Sequence, residues 1–467
     1  MSLLRLEKIS SLDDSVIVDV KDLLTGESEI DTLKVDHIAS TDGVFTAAVK
    51  NLVVKKDGLV SSDIIKTEFP SARTLTADMS DKVNIKRYIL SSDNGDCSLA
   101  LNRLFASYAN AESLQINFPT GRFYLKTPAV YSGTAQISIQ GEQGTFLALS
   151  STSKNANLSI TSTRRVTIQD LEFECTEPAD AGTKTGVFIK CTNQDVSHNI
   201  RNVRATATIN TSGRAVIMFD IMDASLSSFS DVYVRYSGSY GNTSGSNNIA
   251  WRMNASSKIS TDSMYRNCSV VGCEIAWLIN PPVGGVNGAY LEGVTWIGCT
   301  IVDVMQGVYV SGDSSNAYRS PMYRWLGGHI NAYQRPMYFY WASQISVSDA
   351  YIYLPYDATK SGSLGLFGIW IEQTIEARIH NVGMQIWGQP DTQAHGVHIG
   401  PGCNFTSVSE VSCFVASGGR AVVSYAGSSR ARVRDAVALY SGTAPSSAIS
   451  LNGSGDVDLG GNTVYAQ

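Results

Sequence analysis

Apolar and polar residues alternate along most of this chain in short pieces, and Gly, Asn, Asp and Ser separate the pieces. In "FGIWIEQTIEARIHNV" (367–382) the alternation puts Ile369 and Ile371 on one side of a strand and Trp370 and Glu372 on the other. A strand read this way turns a large aromatic ring and a carboxylate to the same outer face.

The pattern repeats. TIQDLEF (167–173), NIRNVRA (199–205), SFSDVYV (228–234), MYRNCSV (264–270), YLEGVTW (290–296), MYRWLGG (322–328), SVSDAYI (346–352), RIHNVGM (378–384), SVSEVSC (407–413) and RVRDAVA (432–438) align, with fourth residues 24–36 apart. That residue is most often Asp, Asn, Glu or Gly, which tolerate turn dihedrals and hydrogen-bond nearby backbone. A second ladder of apolar-x-apolar triplets begins at Val187, Val216, Ile249, Ile275, Val308, Met337, Ile369, Val397, Val422 and Ile449, at intervals of 25–33. Two ladders sharing a period of about 29 residues predict a solenoid of parallel β coils, each copy burying its apolar face on the next.

Upstream, "SLALNRLFASYANA" (98–111) puts Leu101, Leu104, Phe105 and Tyr108 on one helical face, with Ser98 as N-cap. "SLQINFPTGRFYL" then reads as a strand, a turn and a second strand. A helix at this point is expected to cover the open end of the solenoid. Residues 1–80 are richer in Asp, Lys and Val, with turn signals at Asp42-Gly43 and Asp57-Gly58, and read as a separate adaptor or stalk. The expected division is therefore 1–80 adaptor, 81–130 capping helix and first strands, and 131–467 solenoid.

Composition narrows the function classes. Only 17% of the 467 residues are charged and the net charge is −6, so no basic surface invites nucleic acid. No run of 18 apolar residues predicts membrane insertion, and "MSLLRLEKISSLDDSV" lacks the apolar core of a signal peptide. The eight cysteines form no CxxC pair and several sit in apolar runs, as expected of buried free thiols made in a reducing cytoplasm.

The segment 84–125, with Asp96, Ala100 and Leu101 in the helix and Phe118, Pro119, Gly121 and Phe123 in the strand pair, resembles the opening segment of pectate-lyase-like β-helix proteins. The resemblance implies an all-β, right-handed single-stranded parallel β-helix with an N-terminal capping helix. With its small adaptor, the whole chain resembles a bacteriophage tailspike. That implies a homotrimer on the virion, made in the host cytoplasm, which binds and depolymerises bacterial surface polysaccharide, capsule or O-antigen. The adaptor would dock onto another tail protein, and no cofactor is expected. Only about fifteen residues follow the last triplet. Either trimerisation rests on the helix and the N-terminal part, or a C-terminal domain has been removed.

Reading outward from the triplets, Tyr309, Tyr338, Trp370 and His398 form one column at a coil spacing of about 4.8 Å, beside Tyr340 and Glu372. Such a row can stack on sugar rings, or it can pack against another subunit. Upstream, Phe219, Ala250, Ala276 and Leu278 are expected to face outward as a subunit interface. Glycoside hydrolysis needs two carboxyl groups, about 5–5.5 Å or 6.5–9.5 Å apart. Glu372 and Asp313 are the candidates, with Glu376 as a substitute, while Asp357 lies in a loop nearby. Arg252, His398 and a Tyr would serve a lyase instead. His395 and His398 have no further ligand near them in sequence, so no metal site is expected. Two readings follow: a depolymerase, or an adhesin that holds glycan without cleaving it.

Overall fold

The computed structural model describes residues 82–466 apart from 194–195, 257–258, 281–289, 313, 315–318, 358–359, 361–365, 388–393, 416–417 and 443–444, and four strands before them. The chain divides into two compact units, Met1–Ser80 and Asp81–Gln467. In the first, Lys8–Ser10 pairs antiparallel with Ile17–Asp19, and Thr32–Ala39 with Thr46–Lys55, the latter two strands flanking Asp42 and Gly43. Asp42, Gly43, Asp57 and Gly58 themselves lie outside the described residues.

The second unit opens on a short strand, Lys82–Asn84, which pairs with Gln115–Asn117, and then forms a helix, Cys97–Ser107. Its cap is Asp96, whose side chain accepts the Ser98 amide, so the expected cap sits two residues too late. Ala100, Leu101, Leu104 and Phe105 are buried, and Phe105 meets Tyr131 edge-on at 5.4 Å. Ser113–Phe118 and Gly121–Tyr124 follow as expected, but each pairs with a strand of the next coil rather than with the other. The chain does not fold back on itself locally.

From here every described pairing in the unit's main sheet is parallel and joins one coil to the next. One register line passes through Val130, Ser159, Phe188, Asp220, Arg252, Leu278, Tyr309, Tyr338, Trp370, His398, Val423 and Ser450, which counts twelve coils. The fold is the parallel β-solenoid that the two ladders predict.

Turns hold the period. Asp170, Asn202, Asp231, Asn267, Asp349, Asn381, Glu410 and Asp435 all adopt left-handed backbone, φ 50–59°, a region that favours Asp and Asn among side-chain-bearing residues. Asn202 Nδ2 donates to Asp170 Oδ1 at 2.8 Å, and Asn381 Nδ2 to Asp349 Oδ1 at 2.7 Å, so the turns bond coil to coil. In two coils the block was set at the wrong residue. The turn positions are Gly298 and Gly327, not Gly293 and Trp325. Trp325 is instead a buried core residue.

Aromatic rings fill the middle of the solenoid. Phe219, Trp251 and Trp277 share one inner column, and Phe229, Tyr265, Trp296 and Trp325 another. Phe219 stacks on Trp251 at 4.4 Å and Phe229 on Tyr265 at 4.7 Å. This corrects the expected upstream interface, because Phe219, Ala250 and Ala276 are fully buried and only Leu278 lies on the outer line. The strands bend there, turning two consecutive residues inward (Ala250 with Trp251, Ala276 with Trp277), and simple alternation slips by up to three positions. All eight cysteines are buried and free.

Candidate functional site

Downstream the same bend shapes the outer face. Gly307-Val308, Pro336-Met337, Gly368-Ile369 and Gly396-Val397 are the consecutive buried pairs. A Cβ at Gly396 would lie 2.5 Å from the Ala421 carbonyl, so only glycine fits there, and one at Gly368 would lie 2.6 Å from Met384 Sδ, which would have to move. Because two residues turn inward, the residue three before each member of the column also faces out. Gln306, Arg335, Phe367, His395 and Arg420 therefore form a second column beside Tyr309, Tyr338, Trp370, His398 and Val423. Ser311, Tyr340 and Glu372 form the third.

The rings make one continuous layer. Tyr309 lies 5.1 Å from Tyr338, Tyr338 4.9 Å from Trp370, and Trp370 5.3 Å from His398 between centroids. Phe367 closes on His398 at 4.2 Å, and Tyr425 stacks on its other side at 4.4 Å. Tyr338, Phe367 and His398 are thereby covered, while Tyr309, Tyr340, Trp370, Arg335 and Glu372 stay partly accessible.

Charge is segregated across the layer. Glu372 stands at one edge, where Tyr338 Oη donates to its Oε2 at 3.3 Å. Burial and the adjacent Glu372 charge push the Tyr338 phenol well above its usual range. At the other edge Arg335 lies over the ring layer. Burial lowers His395 and His398 to about 4, with Arg420 adding to the first and His395 to the second, so both imidazoles are neutral at pH 7. Five buried polar atoms on this face have no hydrogen-bond partner: Gln306 Oε1, Arg335 Nε, Trp370 Nε1, His398 Nδ1 and Arg420 Nε. An aromatic surface with orphaned polar atoms and one carboxylate is suited to stacking and directional hydrogen bonding with a polyhydroxylated ligand.

Of the residues singled out from sequence, Tyr309, Tyr338, Tyr340, Trp370, His398 and Glu372 are brought together. Asp313 lies outside the described residues. Glu376 does not join the face, being an exposed corner residue with left-handed backbone, φ 61°. Arg252 lies on the same column but two coils before Tyr309, and Asp220 holds it in a two-pronged ion pair of 2.9 and 2.5 Å, so it is not a free charge neutraliser. Sequence reasoning missed Arg335, Phe367, His395 and Arg420. Their signal was the spacing of three to the aromatic column across a Gly, Pro or Ala. A depression at the N-terminal end of the column, lined by Pro128, Val130, Ser159 and Phe188 among others, has no titratable side chain. Among the described residues no His, Cys, Asp and Glu cluster is placed to hold a metal.

No family model and no curated protein matches the sequence. Solved structures do resemble the fold. The pre-mature gene product 12 of bacteriophage phi29 aligns with a TM-score of 0.50 at 11% identity, over 82% of this chain and 56% of that one. ORF18 of Geobacillus virus E2 aligns at 0.42 and 11%, over 83% and 61%, and a tailspike of E. coli bacteriophage HK620 in complex with a pentasaccharide at 0.45 and 12%, over 83% and 81%. The chain thus spans about three fifths of the length of the first two. The solved structures it resembles include phage tailspikes and other phage proteins, and what it shares with them is the tailspike-like parallel β-helix.

Proposed function

We propose that this chain is a virion-borne phage tailspike that binds bacterial surface polysaccharide, capsule or O-antigen, along the Tyr309–His398 face and hydrolyses its glycosidic bonds. The observation that carries this reading is the aromatic layer over four successive coils with Glu372 at its edge, oriented by the Tyr338 hydroxyl. Glu372 is assigned as one of the two carboxyl groups that hydrolysis needs. Asp313, two residues past Ser311 in the sequence, is proposed as the other. The first unit, Met1–Ser80, would attach to a tail protein, and assembly is proposed as a homotrimer. The trimer rests on the resemblance alone, because Phe219, Ala250 and Ala276 of the apolar run first read as its interface belong to the core. A monomeric mass in light scattering would remove it.

A second reading, a fibre that holds glycan without cutting it, has one observation in its favour. Among the described residues, Glu372 is the one carboxylate in the three columns from coil seven onward. The two readings separate in an assay of reducing ends and of 232 nm absorbance on a panel of capsular and O-antigen polysaccharides, with Glu372→Gln and Asp313→Asn alongside. New reducing ends lost in both variants support hydrolysis. Absorbance at 232 nm means elimination by a lyase, and binding without cleavage leaves the adhesin.

A further inference from the structure

Arg335 is a cation with aromatic neighbours and, among the described residues, no acid paired with it. Its Cζ lies 5.8 Å from the ring centroid of Tyr309, 5.1 Å from Tyr338 and 4.9 Å from Trp370. Neither a hydrogen bond nor an ion pair links it to a described residue, and its Nε is buried without a partner. Three other half-buried arginines of the unit hold an acid, Arg103 with Asp93, Arg214 with Glu177 and Arg252 with Asp220, and two hold a neutral acceptor, Arg319 the Gln373 carbonyl and Arg420 the Ser446 hydroxyl. Holding a guanidinium partly out of water without a counter-ion costs free energy, which the ring faces offset only in part. Around it the unpartnered polar atoms are the neutral Gln306 Oε1, one coil before Arg335, together with nitrogens of the face. Trp370 Nε1 and Arg420 Nε are unpartnered, and His398, 8% exposed, keeps an unpartnered Nδ1. Glu372, the carboxylate of the face, is engaged by the Tyr338 hydroxyl at the opposite edge.

We infer that Arg335 is an anion-recognition subsite, and that the polysaccharide this face takes carries an acidic sugar whose carboxylate seats on the Arg335 guanidinium while its ring lies against the Tyr309–Trp370 layer. The inference rests on the reading of the face as a glycan site and adds the substrate class. A charge-assisted hydrogen bond in a desolvated aromatic setting makes a planar carboxylate the complementary group. Neutral repeats would leave the cation buried and unanswered.

The test uses the full chain on an array of bacterial polysaccharides with acidic and neutral repeats. Each bound glycan is measured again after carboxyl reduction, which turns carboxylates into primary alcohols, and after removal of phosphate and sulfate esters. The bound glycans are expected to be acidic. Carboxyl reduction and Arg335→Gln should each weaken binding about 10- to 100-fold, and together no more than either alone, because both remove one contact. Arg335→Lys should lose less, whereas Trp370→Ala should weaken native and reduced glycan alike. Full-affinity binding of a neutral glycan overturns the inference and leaves the glycan reading standing. So does dependence on the esters, or an effect of carboxyl reduction that persists in Arg335→Gln. A chain that binds no polysaccharide removes the reading itself, and an oligomer that Arg335→Gln dissociates assigns the arginine to a partner subunit instead.

Discussion

The Tyr338 hydroxyl and the Glu372 carboxylate, one coil apart in the solenoid, are joined by a 3.3 Å hydrogen bond that fixes which way the carboxylate turns. Tyr338→Phe removes that bond and keeps the ring in the aromatic layer. If Glu372 acts on the glycosidic bond, kcat should fall about 10- to 100-fold, the size of a hydrogen bond to a charged group, with KM changed less than threefold. Steady-state kinetics on a cleaved polysaccharide reads this directly. An unchanged kcat would show that the carboxylate needs no such support.

The Arg252–Asp220 pair predicts a stability effect without a binding effect. Asp220 is 2% exposed, and Arg252→Met would leave its carboxylate buried and unpaired. The expected loss is roughly 2–4 kcal/mol, toward the lower end of what breaking a buried pair costs because the arginine is partly exposed. Urea unfolding measures it, and glycan binding of the folded variant should match the wild type.

Acid should weaken the solenoid through its buried imidazoles. Burial lowers His198, His395 and His398 to about 4. Unfolded, each returns to about 6.5 and binds a proton that the folded chain refuses. Below pH 6.5 the unfolded state therefore holds more protons, so stability is full above 6.5 and is lost as pH falls toward 4. Each histidine contributes on the order of 1–3 kcal/mol to that loss. Urea midpoints at pH 7.5, 6 and 5 should decline in order, and a triple His→Gln variant should flatten the decline.

Lys184 is buried inside the solenoid, where its Nζ donates to the carbonyls of Leu149, Ser151 and Thr176 at 3.1, 2.6 and 2.7 Å. Lys184→Met fills the space and strands three acceptors. A loss of roughly 2–4 kcal/mol in urea unfolding is expected. A loss below 1 kcal/mol would mean that water replaces the ammonium.

The solenoid was legible because its evidence is periodic: turn residues that accept left-handed backbone and apolar triplets keep step over ten coils even when corners vary in length. The aromatic column was legible where the triplet rule holds, from Val308 to Val397. The bend was not. Two consecutive inward residues break the alternation, so Phe219 was read as surface, although Asp220 is the residue on the outer line. Without Asp220 on the outer face, Arg252 had no visible partner and passed for a free cation. Arg335 was missed for the same reason, since a residue three before an outward one reads as inward in a straight strand. Glu376 was misjudged differently, because nothing in its neighbourhood announces a corner that carries left-handed backbone.

One consequence of the single register line concerns how such a surface can change. Tyr309, Tyr338, Trp370 and His398 are set along it by the rise of the coil, in steps of about 4.8 Å. Spacing on this face is therefore quantised: a side chain moves by a whole rung or not at all. Selection for a new ligand would act by changing which rung bears which chemistry, leaving the ruler itself, and the packed interior that sets its graduations, untouched.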